Sequence, residues 1–153
     1  MEQQAKEFSV YNKIVVAVDG SETAQQALVE AENIAKTYNA ELCIVHAIVL
    51  TMGGDLEGDK KKGQDIIDQA RSAVTISNVK TQLLVSKSGF GLIGIIETIA
   101  DAVADRDADL VVVGTANRRG LKRFFLGSVA EQLITHVDAS ILLVRPPQNL
   151  RRQ

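Results

Sequence analysis

A single cysteine, few aromatic side chains and almost no net charge remove several common ways of building a site from this 153-residue chain. Cys43 cannot close an internal disulfide, and its place in the apolar run Leu42-Cys43-Ile44-Val45 marks it as a small core residue rather than a reactive thiol. The two histidines, His46 and His136, stand far apart, so no cluster with metal-ligand spacing exists. There is no G-x-S-x-G elbow, which argues against a Ser-His-Asp hydrolase. Seventeen basic residues against nineteen acidic ones give a charge of −2, so any attraction to nucleic acid or an anionic membrane must come from a local patch. No apolar run approaches the roughly 20 residues that span a bilayer. The start, Met1-Glu2-Gln3-Gln4-Ala5-Lys6-Glu7, lacks the basic and apolar stretches of a signal peptide, and a cytoplasmic location is expected.

Apolar runs and amphipathic stretches alternate along the chain instead. Hydrophobic residues make up 46% and charged residues 24%, ordinary values for a globular protein. A chain of this length can bury roughly 70% of its unfolded surface, enough for one core. A single domain over residues 11–147 is expected, with tails at 1–10 and 148–153. Ile14-Val15-Val16-Ala17-Val18 is a β-branched run that suits a strand covered on both faces. It stops at Asp19-Gly20-Ser21, where Ser21 is a good N-cap, and Ala27, Leu28, Ala31, Ile34, Ala35 and Tyr38 then recur at helical spacing. Leu42 to Val49 reads as a second strand, the Gly- and charge-rich stretch Thr51 to Gly63 as a loop, and Ile66, Ile67, Ala70 and Val74 as a short helix. Val79 to Val85 is a third strand, followed by a helical stripe from Leu92 to Val103, and Leu110 to Val113 is a fourth strand that ends at Gly114. A helix carrying Val129, Leu133, Ile134 and Val137 leads to a last strand, Ser140 to Val144, stopped by Pro146-Pro147.

Five strands alternating with four helices predict an α/β fold, an open, five-stranded, mostly parallel twisted sheet of Rossmann-like type with helices on both faces. Ligands of such sheets bind beyond the carboxyl ends of the strands, where the strand order reverses. Asp19, His46-Ala47 and Val113-Gly114 are the positions so marked. His46 is expected to end a strand beside the pocket, and His136 to lie in a last helical turn.

Three patterns compete for a phosphate. Gly89-Phe90-Gly91-Leu92-Ile93-Gly94 matches G-x-G-x-x-G between a strand and a helix, but the acid about twenty residues on, Asp109, precedes a strand instead of ending one. Those glycines read as a chain turn. Gly58-Asp59-Lys60-Lys61-Lys62-Gly63 has P-loop glycine spacing, yet Gln64 and Asp65 follow where Lys and Ser or Thr are needed. The third pattern runs from Gly114 to Val129, beginning where an apolar strand ends and finishing at a helix N-terminus. Backbone N–H groups near Gly127, Ser128 and Val129 can there face an anion with the helix dipole behind them. Arg118, Arg119, Lys122 and Arg123 supply positive charge, while the scarcity of aromatics for stacking bases speaks against nucleic acid.

This last pattern resembles the universal stress protein family, whose nucleotide-binding members carry glycine, two residues, glycine, nine residues, glycine and then serine or threonine. Gly114 matches the first glycine, Gly127-Ser128 the closing pair, and the spacer from Arg118 to Leu126 is intact. The resemblance extends to Val16-Ala17-Val18-Asp19-Gly20-Ser21, Val45-His46-Ala47, Ala108-Asp109-Leu110-Val111-Val112-Val113-Gly114 and Leu142-Leu143-Val144-Arg145. It implies a fold like that of the adenine nucleotide alpha hydrolases and a regulatory protein that binds ATP or AMP, with or without Mg²⁺. By matched position Asp19 meets the ribose, backbone at Ala47 meets adenine, Gly127-Ser128 holds phosphate, and Ala17, Val113, Gly114 and Val129 line the pocket. Asn117 replaces the second glycine. It tolerates left-handed backbone geometry and its amide can hydrogen-bond phosphate or ribose, so weakened or altered binding is the expected effect. Gly91 stands where the family has a proline in its glycine-acid-proline turn. The resemblance also implies a homodimer through the last strand and an unidentified protein partner. Two alternatives stand beside it: a nucleotide-free dimeric interaction module, and a weak ATPase or autophosphorylating protein that uses Ser128 or a nearby hydroxyl.

Overall fold

The apolar runs become strands and the amphipathic stretches become helices. In a computed structural model that describes residues 10–50, 52–87, 91–115 and 132–145, the order is β1 (Lys13–Ala17), α1 (Glu22–Tyr38), β2 (Glu41–Ile48), α2 (Leu56–Ser72), β3 (Val79–Val85), α3 (Gly91–Asp105), β4 (Leu110–Gly114) and β5 (Ser140–Val144). Residues 132–136 are also helical. The strands form one sheet in the order β3-β2-β1-β4-β5, and every pairing is parallel.

Alternation along each strand splits the core in two. Ile14, Val16, Leu42, Ile44, Leu110 and Val112 face α1 and α2, whereas Val15, Cys43, Val45, Val111 and Val113 face α3 and Leu133. Ile14, Leu42 and Ile44 are at most 1% exposed. Each such side chain contributes about 1.5–3 kcal/mol by burial, which is why both faces must be covered. Cys43 is buried as its apolar setting requires, and that burial pushes its thiol pKa up, with smaller effects from Arg106, which lowers it, and Glu41, which raises it. Helix α1 starts as its sequence indicates: Ser21 Oγ accepts from Ala24 N at 3.1 Å, and Asn39, in the left-handed region, closes the far end through its N–H to Ala35 O.

The stretch read as a loop up to Gly63 is corrected from Leu56 onward, because α2 begins there. Asp55 is its N-cap, accepting from Gly58 N at 3.0 Å, and Glu57 and Asp59 favour the positive end of the helix. The lysines therefore lie on a helix, where Lys60 sits 3.8 Å from the exposed Glu57. Gly63 is not a turn residue: a Cβ there would stand 2.7 Å from Leu83 Cδ1 and 3.0 Å from His46 Cδ2, so glycine lets α2 settle on β2 and β3. Val74 lies beyond the end of α2 yet is still buried in the core.

Candidate functional site

Strand order places β1 between β2 and β4; α1, which follows β1, packs on one face of the sheet, and Leu133, between β4 and β5 in the chain, packs on the other. This is the switch point at which an open α/β sheet offers a crevice. The register makes the crevice concrete. Ala17 lies opposite Val45 on β2, and Val16 lies opposite Val112 on β4. Counting on from those pairs brings Asp19 and Thr115, just past the ends of β1 and β4, level with Ala47 near the end of β2. Ala17, Ala47 and Val113 all belong to the face covered by α3, where two alanines leave more room than the branched side chains below them.

Asp19 is exposed, and its Oδ1 accepts from Ser21 N at 2.9 Å, so it organises the turn into α1. Gly20 completes that turn at φ +85°. Among the described residues nothing donates to the other carboxylate oxygen, Oδ2. The backbone beneath Asp19 is held from β2: Val18 N donates to Val45 O at 2.9 Å, and His46 Nδ1 lies 2.6 Å from Val18 O. A carbonyl only accepts, so Nδ1 carries the hydrogen in that pair. His46 is thus a support of the Asp19 turn and sits on the α2 side of the sheet, within β2 rather than at its end.

Gly114 has a role that sequence reasoning missed. A Cβ there would come within 2.8 Å of the Thr23 carbonyl oxygen, so the missing side chain admits the first turn of α1. Two buried hydroxyls mark the same junction: Thr23 Oγ1 and Thr115 Oγ1 have no hydrogen-bond partner among the described residues, at residue exposures of 2% and 6%. An unsatisfied buried hydroxyl costs about 1–3 kcal/mol. Threonines at these positions carry no sequence signal that separates them from ordinary cap residues.

The remaining candidates, Asn117, Gly127, Ser128 and Val129, and the basic residues Arg118, Arg119, Lys122 and Arg123, lie outside the described residues, as do Gly89 and Phe90. The dinucleotide pattern nonetheless receives an answer. Asp109 accepts from Asn12 N at 2.8 Å and Lys13 N at 3.2 Å, at the amino end of β1, so it faces away from the crevice. Gly91 opens α3 at φ +62°, a conformation that proline cannot adopt, and Gly94 is buried within the helix. His136 ends the 132–136 helix, with Nδ1 2.7 Å from Gln132 O. A separate groove of about 260 Å³ runs between α1 and α2 on the other face, from Gly20 to Ala73, and contains none of the alanines of the crevice. Among the described residues no His, Cys, Asp or Glu cluster could hold a metal, and no helix is long and apolar enough to cross a membrane.

Comparison with known proteins agrees with this fold. The family described as the universal stress protein family matches residues 10–145. A universal stress protein of Methanocaldococcus jannaschii is 30% identical over 152 residues, spanning 92% of this chain and 85% of that protein. Two solved structures share the fold. A universal stress protein in complex with cAMP superposes with a TM-score of 0.70 at 22% identity, over 90% of this chain and 99% of that one. The Archaeoglobus fulgidus protein in complex with dAMP gives 0.65 at 24% identity, over 88% and 98%.

Proposed function

This chain belongs to the universal stress protein family, and from that premise we propose that it is an adenine nucleotide-binding regulator of the stress response, taking ATP or AMP and acting as a homodimer. The observation that carries the reading is the level row of strand ends at the switch point: the Asp19 turn on β1, flanked by Ala47 on β2 and by the end of β4. A flat base fits over the small side chains of Ala17 and Ala47, and the backbone at Ala47 can meet its edge. Asp19 Oδ2 is available to accept from ribose hydroxyls while Oδ1 holds the turn. Phosphates fall to Gly127-Ser128, with Asn117 tuning their fit, and a triphosphate would bring Mg²⁺ with it. The cAMP and dAMP complexes of proteins with this fold support an adenine nucleotide over other ligands.

Calorimetric titration of nucleotide-stripped protein with ATP, ADP and AMP, with and without Mg²⁺, tests this. Saturable binding is expected, and Asp19→Ala should weaken it by about ten- to a hundredfold, the worth of a charge-assisted hydrogen bond. Asp19→Asn keeps an acceptor for Ser21 N and separates loss of charge from loss of the turn. No binding by wild type would leave the dimeric interaction module, and Mg²⁺-dependent phosphate release lost in Asp19→Ala would indicate the weak ATPase.

A further inference from the structure

The outer edge of β3 is built differently from the rest of the sheet. Among the described residues β3 pairs only with β2. Leu42 N donates to Asn78 O and Ser86 N donates to Ile48 O, so even-numbered residues turn their backbone groups toward β2. Parallel pairing then points the N–H and C=O groups of Thr81, Leu83 and Val85 outward, away from the sheet.

Beside this edge runs α3, and one of its stripes is acidic. Glu97, Asp101 and Asp105 follow one another at four-residue intervals, and with the edge of β3 they line a groove of about 430 Å³. No basic residue occurs anywhere in α3, and no ion pair among the described residues involves these three carboxylates. Like charges at that spacing repel, and Asp101 and Asp105 sit toward the negative end of the helix, so the stripe opposes the helix that carries it. Arg106 does not relieve it: the guanidinium is engaged elsewhere, donating to Gln82 Oε1 at 3.1 and 2.9 Å and lying 3.9 Å from Glu41. Lys87 stands at one end of the groove and Lys80 on the strand near the other.

We propose that this groove is a docking site for an extended, cationic segment of another polypeptide, added to β3 as a sixth strand with a basic side chain at every second position. The spacings agree. Successive carboxylates on the helix are about 6 Å apart along its axis, and alternate side chains on a strand are about 6.7 Å apart. The outward backbone groups of β3 supply the ladder, and the acidic stripe supplies the choice of side chain. A second copy of the same edge is disfavoured, because pairing would bring two acidic stripes together. Lys80 and Lys87 limit the paired stretch to the residues between them. The proposal is independent of nucleotide binding.

The test is fluorescence anisotropy of the full chain with a labelled hexapeptide that alternates threonine and lysine, against a peptide of the same composition with its three lysines consecutive. The alternating probe should bind saturably, about tenfold tighter than the block probe, and weaken with salt. Glu97→Gln/Asp101→Asn/Asp105→Asn should reduce its binding about tenfold. Thr81→Pro, which removes an outward donor and no internal ladder bond, should do the same without altering charge. Equal affinity for the two probes, no saturable binding, or unchanged binding by either folded variant would overturn the proposal. The comparison of probes on the wild-type chain decides the matter even where a variant fails to fold.

Discussion

At Gly114 one residue stands where two demands meet. The family motif ascribes it to the ligand, while the 2.8 Å approach to the Thr23 carbonyl ascribes it to the packing of α1 on β4. Gly114→Ala should therefore destabilise the protein by about 1–3 kcal/mol, the usual cost of forcing atoms into a filled space, as read from urea denaturation. A loss of nucleotide affinity in this variant with stability unchanged would put the glycine in the ligand's path instead. Asp19 is the cleaner probe of binding, since it is exposed and, among the described residues, the only hydrogen bond to its side chain comes from the Ser21 N–H, which asparagine can preserve. Those two side chains also show the limit of reading single residues. Asp19 was recognisable from its place after an apolar run, but nothing around Gly114 in the chain announces Thr23, which lies ninety-one positions earlier and meets it only in the folded state.

Among the elements, α1 is tied to the connection before β3 by one carboxylate. Glu32 Oε2 accepts from Thr75 N at 2.6 Å, from Thr75 Oγ1 at 3.3 Å and from Ile76 N at 3.3 Å. Burial acts to raise its pKa, but those bonds and nearby Lys36 outweigh it, and the carboxyl titrates below its ordinary value. A folded-state pKa below the unfolded one contributes stability above the unfolded carboxylate range, and that contribution is lost as pH falls through the folded value. Glu32→Gln should accordingly cost about 1 kcal/mol at neutral pH, a figure reduced for solvent screening, and little once both forms are protonated. Thermal melts of the two proteins at neutral pH and near pH 3 would check this; an equal difference at both would mean that packing, not charge, is responsible. Helix α2 carries a different lesson. Its glycines and lysines read as a loop because propensity is local, whereas Gly63 is favoured by what it touches on β2 and β3.

For the whole molecule the open question is association. The last strand leaves an apolar surface: Ile134 is 66% exposed and Leu143 37%, and with Val137, Ala139 and Ile141 they line a groove of about 310 Å³ along β5. The proposed homodimer would cover this edge, and Leu143→Glu should then shift the mass measured by light scattering from dimer to monomer. A wild-type monomer at working concentration would remove the dimer from the functional reading. Sequence alone determined the class of fold, because an apolar run bounded by turn residues can satisfy its backbone and bury both faces only inside a covered sheet, and each of the five runs became a strand. It also determined Asp19 as a strand-end residue, since chain direction and the Asp-Gly-Ser turn are local facts. What only the tertiary structure decided was strand order and register: that β1 lies between β2 and β4, that Ala17, Ala47 and Val113 share a face, and that Asp109 points to the far end. These depend on pairings between residues tens of positions apart, whose energies come from packing and backbone hydrogen bonds that no local pattern encodes.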